Sequence, residues 1–400
     1  MNLDYSTVFS LAPYISLFIF FILLSLIYTT PKFSVVYLNS GYLRTCNFNL
    51  ITKNINSTPS CRLFSTYVSK VKTQDEELVE MSDEDFIEWF RGISDGESTF
   101  YIKSKNNDKN FEFRFRIFMH IDEKPLLLFI QSRLGIGKIY TLKKSVEFNV
   151  SSQKEIIKII EIFNHNPLNT TKHLNFLDFK KAFELYTNSV SKSSVELINQ
   201  LNLIKNNMNR GKVDYTLMEK KEFKFTHYWV LGFIEGEGSF YVRNNEYFPL
   251  SFGLGQSAKD LALMKELRIY LAEVLPREYG GIAYPKAVSL VAAKDALGNV
   301  SSNTIIIGNT NYLKNVFIPF LDSMVWQSKK LLDYRDWKSI LQIKELGLRK
   351  TESGVEVINL LINRMNLRRL TTNKEISAVN KEDLARKMSK LLNSQRSEED

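Results

Sequence analysis

The chain has 400 residues, 44% of them hydrophobic and 12% aromatic, enough to bury two ordinary cores. Its formal net charge of +9 biases it mildly toward polyanions and decides little alone, because many basic proteins bind nothing anionic. The two cysteines, Cys46 and Cys61, exclude a disulfide scaffold and a cysteine-based zinc site, and the four histidines show no His-x-x-x-His spacing.

No charged residue occurs from Tyr5 to Pro31, and ISLFIFFILLSLIY at 15 to 28 is long enough with its flanks to cross a bilayer. A transmembrane anchor is one reading. A secretory signal fits less well, because no basic stretch precedes the run and no small-residue cleavage site closes it. Residues 29 to 80 are rich in Ser, Thr and Asn without sustained periodicity and read as a linker.

Acidic and capping groups at Asp83 to Asp85 precede Phe86, Trp89, Phe90 and Ile93, so a helix begins there and runs into WFRGISDGESTFYI at 89 to 102. Glycine inside a helix costs about 1 kcal/mol relative to alanine, yet Gly92 and Gly96 stand one turn apart on one face. Small residues so spaced let a second helix backbone approach closely. A short strand follows at Thr99 to Lys103, then FEFRFRIFMHI at 111 to 121, the clearest period-2 segment in the chain. Phe111, Phe113, Phe115, Ile117 and Met119 take one face; Glu112, Arg114, Arg116 and His120 take the other with Phe118. A helix from near Asp122 to Gly135, a hairpin of GKIYTLKK with SVEFNV, and a helix in QKEIIKIIEIF complete one unit.

The unit then repeats. WVLGFIEGEGSFYV at 229 to 242 superposes on 89 to 102 without a gap, matching Gly232 to Gly92, Glu235 to Asp95, Gly236 to Gly96 and Glu237 to Glu97. Hairpin candidates recur around SFYVRNNEYFPLSFGLGQ and from Gly281 to Gly308. KHLNFLDFKKAF at 172 to 183 answers to KLLDYRDWKSIL at 330 to 341, and NNMN at 206 to 209 to NRMN at 363 to 366. The expected organisation is a leader and linker at 1–80, a first domain at 81–210, a linker at 211–224, a second domain at 225–370, and a tail at 371–400 that holds a short amphipathic helix before an acidic end.

These paired motifs resemble those of double-motif, single-chain LAGLIDADG homing endonucleases of fungal mitochondrial introns. LGFIEGEGSF at 231 to 240 matches closely; FRGISDGESTF at 90 to 100 departs with Arg91 and Ser98. The resemblance spans roughly residues 83 to 370. It implies an α+β fold of two pseudo-symmetric αββαββα domains, with saddle-shaped antiparallel sheets in the DNA major groove and the motif helices at the interface.

It further implies a monomer that hydrolyses both strands of an extended DNA site with Mg²⁺ or another divalent cation, held by Glu97 and Glu237 with backbone oxygens of Gly96 and Gly236. Lys172 and Lys330 fall where the family places a basic residue near the scissile phosphates, with ordinary surface lysines as the competing reading. Gln256 falls where a family glutamine orients water, and its first-copy counterpart is Met119. Glu112, Arg114, Arg116, His120, Lys138 and Arg243 are the expected DNA-facing residues, although Arg114 and Arg116 also fit the wet side of an antiparallel sheet. A non-cleaving maturase bound to intron RNA is the alternative function. The resemblance also makes residues 1–80 an exon-derived leader that contacts membrane before processing, and implies mitochondrial residence.

Overall fold

The computed structural model describes residues 32–39, 42–49, 80–105, 110–279, 281–373 and 381–396. The chain divides into two compact units, Met1–Glu76 and Glu77–Asp400. In the first, β1 (Lys32–Asn39) and β2 (Tyr42–Asn49) pair antiparallel in the register Lys32↔Asn49 to Asn39↔Tyr42. Within the stretch read as a linker, KFSVVYLN carries the β-branched and aromatic residues that suit a strand, although the text around it is polar. The apolar run of 15–28 lies outside the described residues. Among the described residues, no helix is long and apolar enough to cross a membrane.

The second unit contains the repeat. In its first copy α1 (Asp83–Glu97) leads into β3 (Ser98–Lys105) and β4 (Asn110–His120), then α2 (Lys124–Leu134), β5 (Lys138–Thr141), β6 (Ser145–Val150) and α3 (Gln153–His165). Ser82, one residue ahead of the expected acids, is the N-cap of α1: its Oγ accepts from Asp85 N at 3.1 Å, and Asp83, Glu84 and Asp85 occupy the first turn, where they complement the helix dipole. Gly135 closes α2 at φ 64°. Two further helices, α4 (Lys172–Asn188) and α5 (Val195–Asn207), lie behind the sheet.

The second copy repeats the order with α6 (His227–Glu237), β7 (Gly238–Val242), β8 (Leu250–Ser257), α7 (Leu261–Ile269), β9 (Val288–Lys294) and β10 (Val300–Ile307). A broken helix of Thr310–Tyr312, Leu313–Phe317 and Ile318–Asp322 stands in for α3, followed by α8 (Lys330–Glu345) and α9 (Glu352–Ile362). The two sheets have the same antiparallel order, β3-β4-β6-β5 and β7-β8-β10-β9. The architecture is therefore α+β, with two pseudo-symmetric αββαββα units.

Alternation sorts each sheet into two faces. Phe111, Phe113, Phe115 and Ile117 of β4 are buried against the helices, as are Phe252 and Leu254 of β8, while Arg114, Arg116 and Phe118 point outward. The repeated asparagine of NNMN and NRMN has a local job in both copies. Asn209 (φ 53°) and Asn366 (φ 55°) take the left-handed backbone that asparagine tolerates, and their Nδ2 groups donate to the carbonyls of Phe100 and Phe240.

The expected amphipathic tail helix is present as α10 (Lys381–Arg396), with Leu384 and Leu391 buried and Lys387 ion-paired to Glu356 at 2.6 Å. Thr371 N donates to Asp122 at 2.9 Å, so the segment leaving the second copy returns to the first.

Candidate active site

The motif helices α1 and α6 cross backbone to backbone. A Cβ added to Gly92 would lie 2.1 Å from the carbonyl oxygen of Trp229, and one added to Gly232 would lie 2.2 Å from that of Trp89. No side chain fits either place, which explains why the helices carry glycine at a cost in propensity. Arg91, the residue that departs from the family pattern, is 2% exposed and bolts this joint from one side. Its guanidinium bonds Glu88 and the carbonyls of Pro167 and Lys224, and lies 5.5 Å from the Trp229 ring centroid. Ser98, the other departure, donates its hydroxyl to Ser94 O at 2.7 Å and closes α1.

One turn past the crossing, Glu97 and Glu237 meet. A Cβ on Gly96 would stand 3.3 Å from Glu237 Cγ, and one on Gly236 3.5 Å from Glu97 Cγ, so each acid packs on the other copy's glycine. Burial raises the Glu97 carboxyl above its ordinary range, the neighbouring Glu237 charge raises it further, and Lys172 and Lys330 oppose the rise. Two acids confined this way form an oxygen-lined position where a cation relieves both burial and repulsion, and hard carboxylate oxygens fit Mg²⁺. Among the described residues, no group of three or more His, Cys, Asp or Glu gathers as a ligand set, so backbone, water or substrate oxygens must complete any such site.

Lys172 and Lys330 flank the acids. Lys172 Nζ donates to Gly96 O and, at 3.4 Å, to Ser94 O; Lys330 Nζ donates to Ile234 O and Gly236 O at 3.1 Å each and to Gly238 O at 2.6 Å. These are the carbonyls at the C-terminal ends of α1 and α6, where a positive charge is favourable. Burial lowers the pKa of both lysines, and the surrounding acids oppose that shift. The Gly96 and Gly236 oxygens, expected as metal ligands, thus each spend one lone pair on an ammonium group and retain a second.

Sequence reasoning missed what places these lysines. Asp95, 1% exposed, accepts from Asn169 N at 2.9 Å, Thr170 N at 2.8 Å and Thr170 Oγ1 at 2.7 Å, in the loop that starts α4. Glu235 does the same for α8, accepting from Gln327 N at 2.8 Å and Ser328 N at 2.6 Å. Each acid also receives the indole N–H of the opposite copy: Trp229 donates to Asp95 at 2.8 Å, and Trp89 donates to Glu235. The recurring Trp and the first acid of each repeated motif were the available signal; the partner loops were not readable.

The remaining expected residues scatter over the sheets. Gln256 lies on the helix-facing side of β8 opposite Asn303, and Met119 takes the same parity in β4. Arg114 pairs with Glu112 at 2.9 Å, which also holds Lys105; Arg116 lies 5.0 Å from the Tyr101 ring centroid and 3.9 Å from Glu147. His120 spends Nε2 on Thr372 Oγ1 at 2.8 Å and Nδ1 on Asp122 N, so it serves the returning C-terminal segment. Lys138 and Arg243 are exposed at the start of β5 and just past β7. Strand register equates Arg116, opposite Thr99, with Gly253, opposite Ser239, so the outward arginines of the first sheet have no charged counterpart in the second.

Two αββαββα copies joined at glycine-bearing helices, with a glutamate from each meeting beside a buried lysine, define a duplicated-motif α+β protein. The chain belongs to the LAGLIDADG endonuclease family, whose sequence model matches residues 90–183 and again residues 230–341. It is 28% identical over 350 residues to the uncharacterized mitochondrial protein RF1 of Saccharomyces cerevisiae, covering 85% of this chain and 71% of that one. It is 29% identical to the probable intron-encoded endonuclease 3 of Neurospora crassa, over 68% of this chain and 53% of that protein. Among solved structures, the fold resembles the homing endonuclease I-GzeII in complex with its DNA target (TM-score 0.60, 24% identity, 70% of this chain, 99% of that one). It also resembles the meganuclease I-CpaMI bound to uncleaved DNA (TM-score 0.58, 26% identity, 70% and 99%).

Proposed function

We propose that this protein is a site-specific double-strand DNA endonuclease that acts in mitochondria and hydrolyses phosphodiester bonds with Mg²⁺ or another divalent cation at Glu97 and Glu237. The observation that carries the reading is the meeting of those two carboxylates at the joint, with the buried Lys172 and Lys330 beside them. Bound there, the cation would polarise a phosphoryl oxygen and favour ionisation of a coordinated water. Glu97 and Glu237 would hold it, and the Gly96 and Gly236 carbonyls, each with a lone pair left, could add to the ligand set. Lys172 and Lys330 keep positive charge beside the reacting phosphates, and Gln256 orients water in one copy only. With an intron-encoded reading frame, the proposed target is the exon junction that lacks the intron.

The test is incubation of the purified protein with a library of candidate duplexes, with Mg²⁺ and then with excess chelator. Double-strand cuts at one site that vanish with chelator and return with Mg²⁺ are expected. Intron RNA binding without any DNA cleavage would replace this reading with the maturase one.

The outward arginines give a second expected result. Arginine engages guanine O6 and N7 bidentately, worth about 1 to 3 kcal/mol of discrimination. Because Arg116 aligns with Gly253, Arg116→Ala should relax base preference at one or two positions of a single half-site, read as a cleavage profile over single-base variants of the target. Arg114→Ala should additionally lower affinity for every sequence, because it leaves the Glu112 carboxylate with Lys105 alone on the outward face. Uniform weakening across both halves in the Arg116 variant would reduce that residue to a backbone contact.

A further inference from the structure

The helix starts that carry Lys172 and Lys330 are each held by a second acid, and that acid belongs to the opposite copy. Asp260, in the turn Ala258–Asp260 after β8, accepts from Thr171 N at 2.6 Å and from Thr171 Oγ1 at 3.2 Å, one residue before Lys172. Glu123, in the turn Ile121–Glu123 after β4, accepts from Lys329 N at 3.2 Å, one residue before Lys330. Register equates Arg116 with Gly253, and counting seven residues onward equates Glu123 with Asp260, so the two crossed contacts are the same contact made twice.

Each crossed acid adds charge where the own-copy acid already stands. Burial lowers both lysines; against it Lys172 feels Asp95 most, then Glu237 and Glu97, with Asp260 adding to them, and Lys330 feels Glu97, then Glu235 and Glu123, then Glu237. Burial pushes Glu123 up to about 7 and Asp260 up to about 6, the mark of carboxylates that lose hydration on folding. A serine or asparagine would cap the same amide without that desolvation cost. An acid at both equivalent places caps the first turn of the facing helix, at Thr171 and Lys329, and adds to the charge around its lysine.

We propose that Asp260 and Glu123 are positioning residues for strand cleavage that act across the joint, Asp260 through Lys172 and Glu123 through Lys330. The inference rests on the endonuclease reading, with one lysine serving each strand. The ends of β4 and β8, which lead directly into these turns, would then report the state of one half-site to the lysine of the other.

The experiment uses the full chain and a target duplex labelled with a different dye on each strand, so that each strand's cutting rate is read separately. Lys172→Met and Lys330→Met first identify which strand each lysine serves. Asp260→Ala should slow the strand slowed by Lys172→Met, and Glu123→Ala the strand slowed by Lys330→Met, each by about tenfold or more, since small misplacement of a reacting group costs up to about a hundredfold. Nicked duplex should accumulate, with opposite strands nicked in the two variants. Asp260→Asn and Glu123→Gln keep an acceptor oxygen and lose the charge; they should show the same crossed imbalance at smaller size, and they carry the test if an alanine variant fails to fold. Equal slowing of both strands, or slowing of the own-copy strand, overturns the proposal while leaving the endonuclease reading intact. A wild-type protein that cuts neither strand overturns both.

Discussion

Glu97→Gln or Glu237→Gln should abolish double-strand cleavage while leaving DNA affinity within about threefold, because a neutral amide is a poor ligand for a hard divalent cation. Loss of several kcal/mol of charge stabilisation corresponds to a rate reduction of about a thousandfold or more. The fold should not suffer. Burial and the Glu237 charge both raise the Glu97 pKa, so the ionised pair is a liability in the folded state, and removing one charge relieves it. The expected melting temperature of either variant is equal to or above that of the wild type, and the stabilisation that Mg²⁺ gives the wild type should shrink. A variant that melts lower and still cuts would assign these acids to structure. One that cuts at wild-type rates would remove them from the site.

The same linkage has a pH consequence. A carboxyl whose folded pKa lies above its unfolded value contributes stability that is present below the unfolded pKa and is lost as pH rises through the folded one. Glu123, pushed up to about 7, and Asp260, pushed up to about 6, therefore make the protein less stable as pH climbs from about 4 to 7. Glu123→Gln and Asp260→Asn should flatten that part of a melting curve series.

Much of this arrangement was legible in the chain because it is written twice. The gapless match of 89–102 with 229–242 located both motif helices, the glycine face, and the two glutamates that meet, while period 2 in β4 separated core phenylalanines from outward arginines. What duplication could not reveal was which parts touch across the joint. Glu123 and Asp260 sit in polar turns that read as ordinary helix starts, and their partners, Lys329 and Thr171, are 206 and 89 residues away. Arg91 read as a departure from the motif because, besides Glu88 on its own helix, its partners lie in the loop before α4 and in the linker, contacts that no local period encodes. His120 shared strand parity with the arginines and so looked outward, yet the C-terminal segment folds back onto it. The hairpin of β1 and β2 was less legible because its two short strand-forming runs are embedded in a stretch that is polar overall.

The glycines at the crossing offer the largest stability effect, and its sign is diagnostic. In an exposed helix, Gly→Ala stabilises by about 1 kcal/mol through backbone entropy and propensity. At Gly92 the new methyl would lie 2.1 Å from Trp229 O and 2.9 Å from Phe233 N, and at Gly232 it would lie 2.2 Å from Trp89 O and 2.9 Å from Ile93 N. Backbone atoms cannot rotate aside, so the helices must separate, opening the indole-to-acid hydrogen bonds that bracket the crossing. Gly92→Ala and Gly232→Ala should each destabilise by about 3 kcal/mol or more, at the upper end for overpacking a dense core. Gly236→Ala, whose methyl would meet its nearest neighbour at 3.4 Å, should cost under about 1 kcal/mol by the same reasoning. The double variant Gly92→Ala with Gly232→Ala should lose less than the sum of the two, because one separation of the helices accommodates both methyls. Denaturant titration of the four proteins measures all of this. Neutral or stabilising effects at Gly92 and Gly232 would show that the motif helices do not meet backbone to backbone.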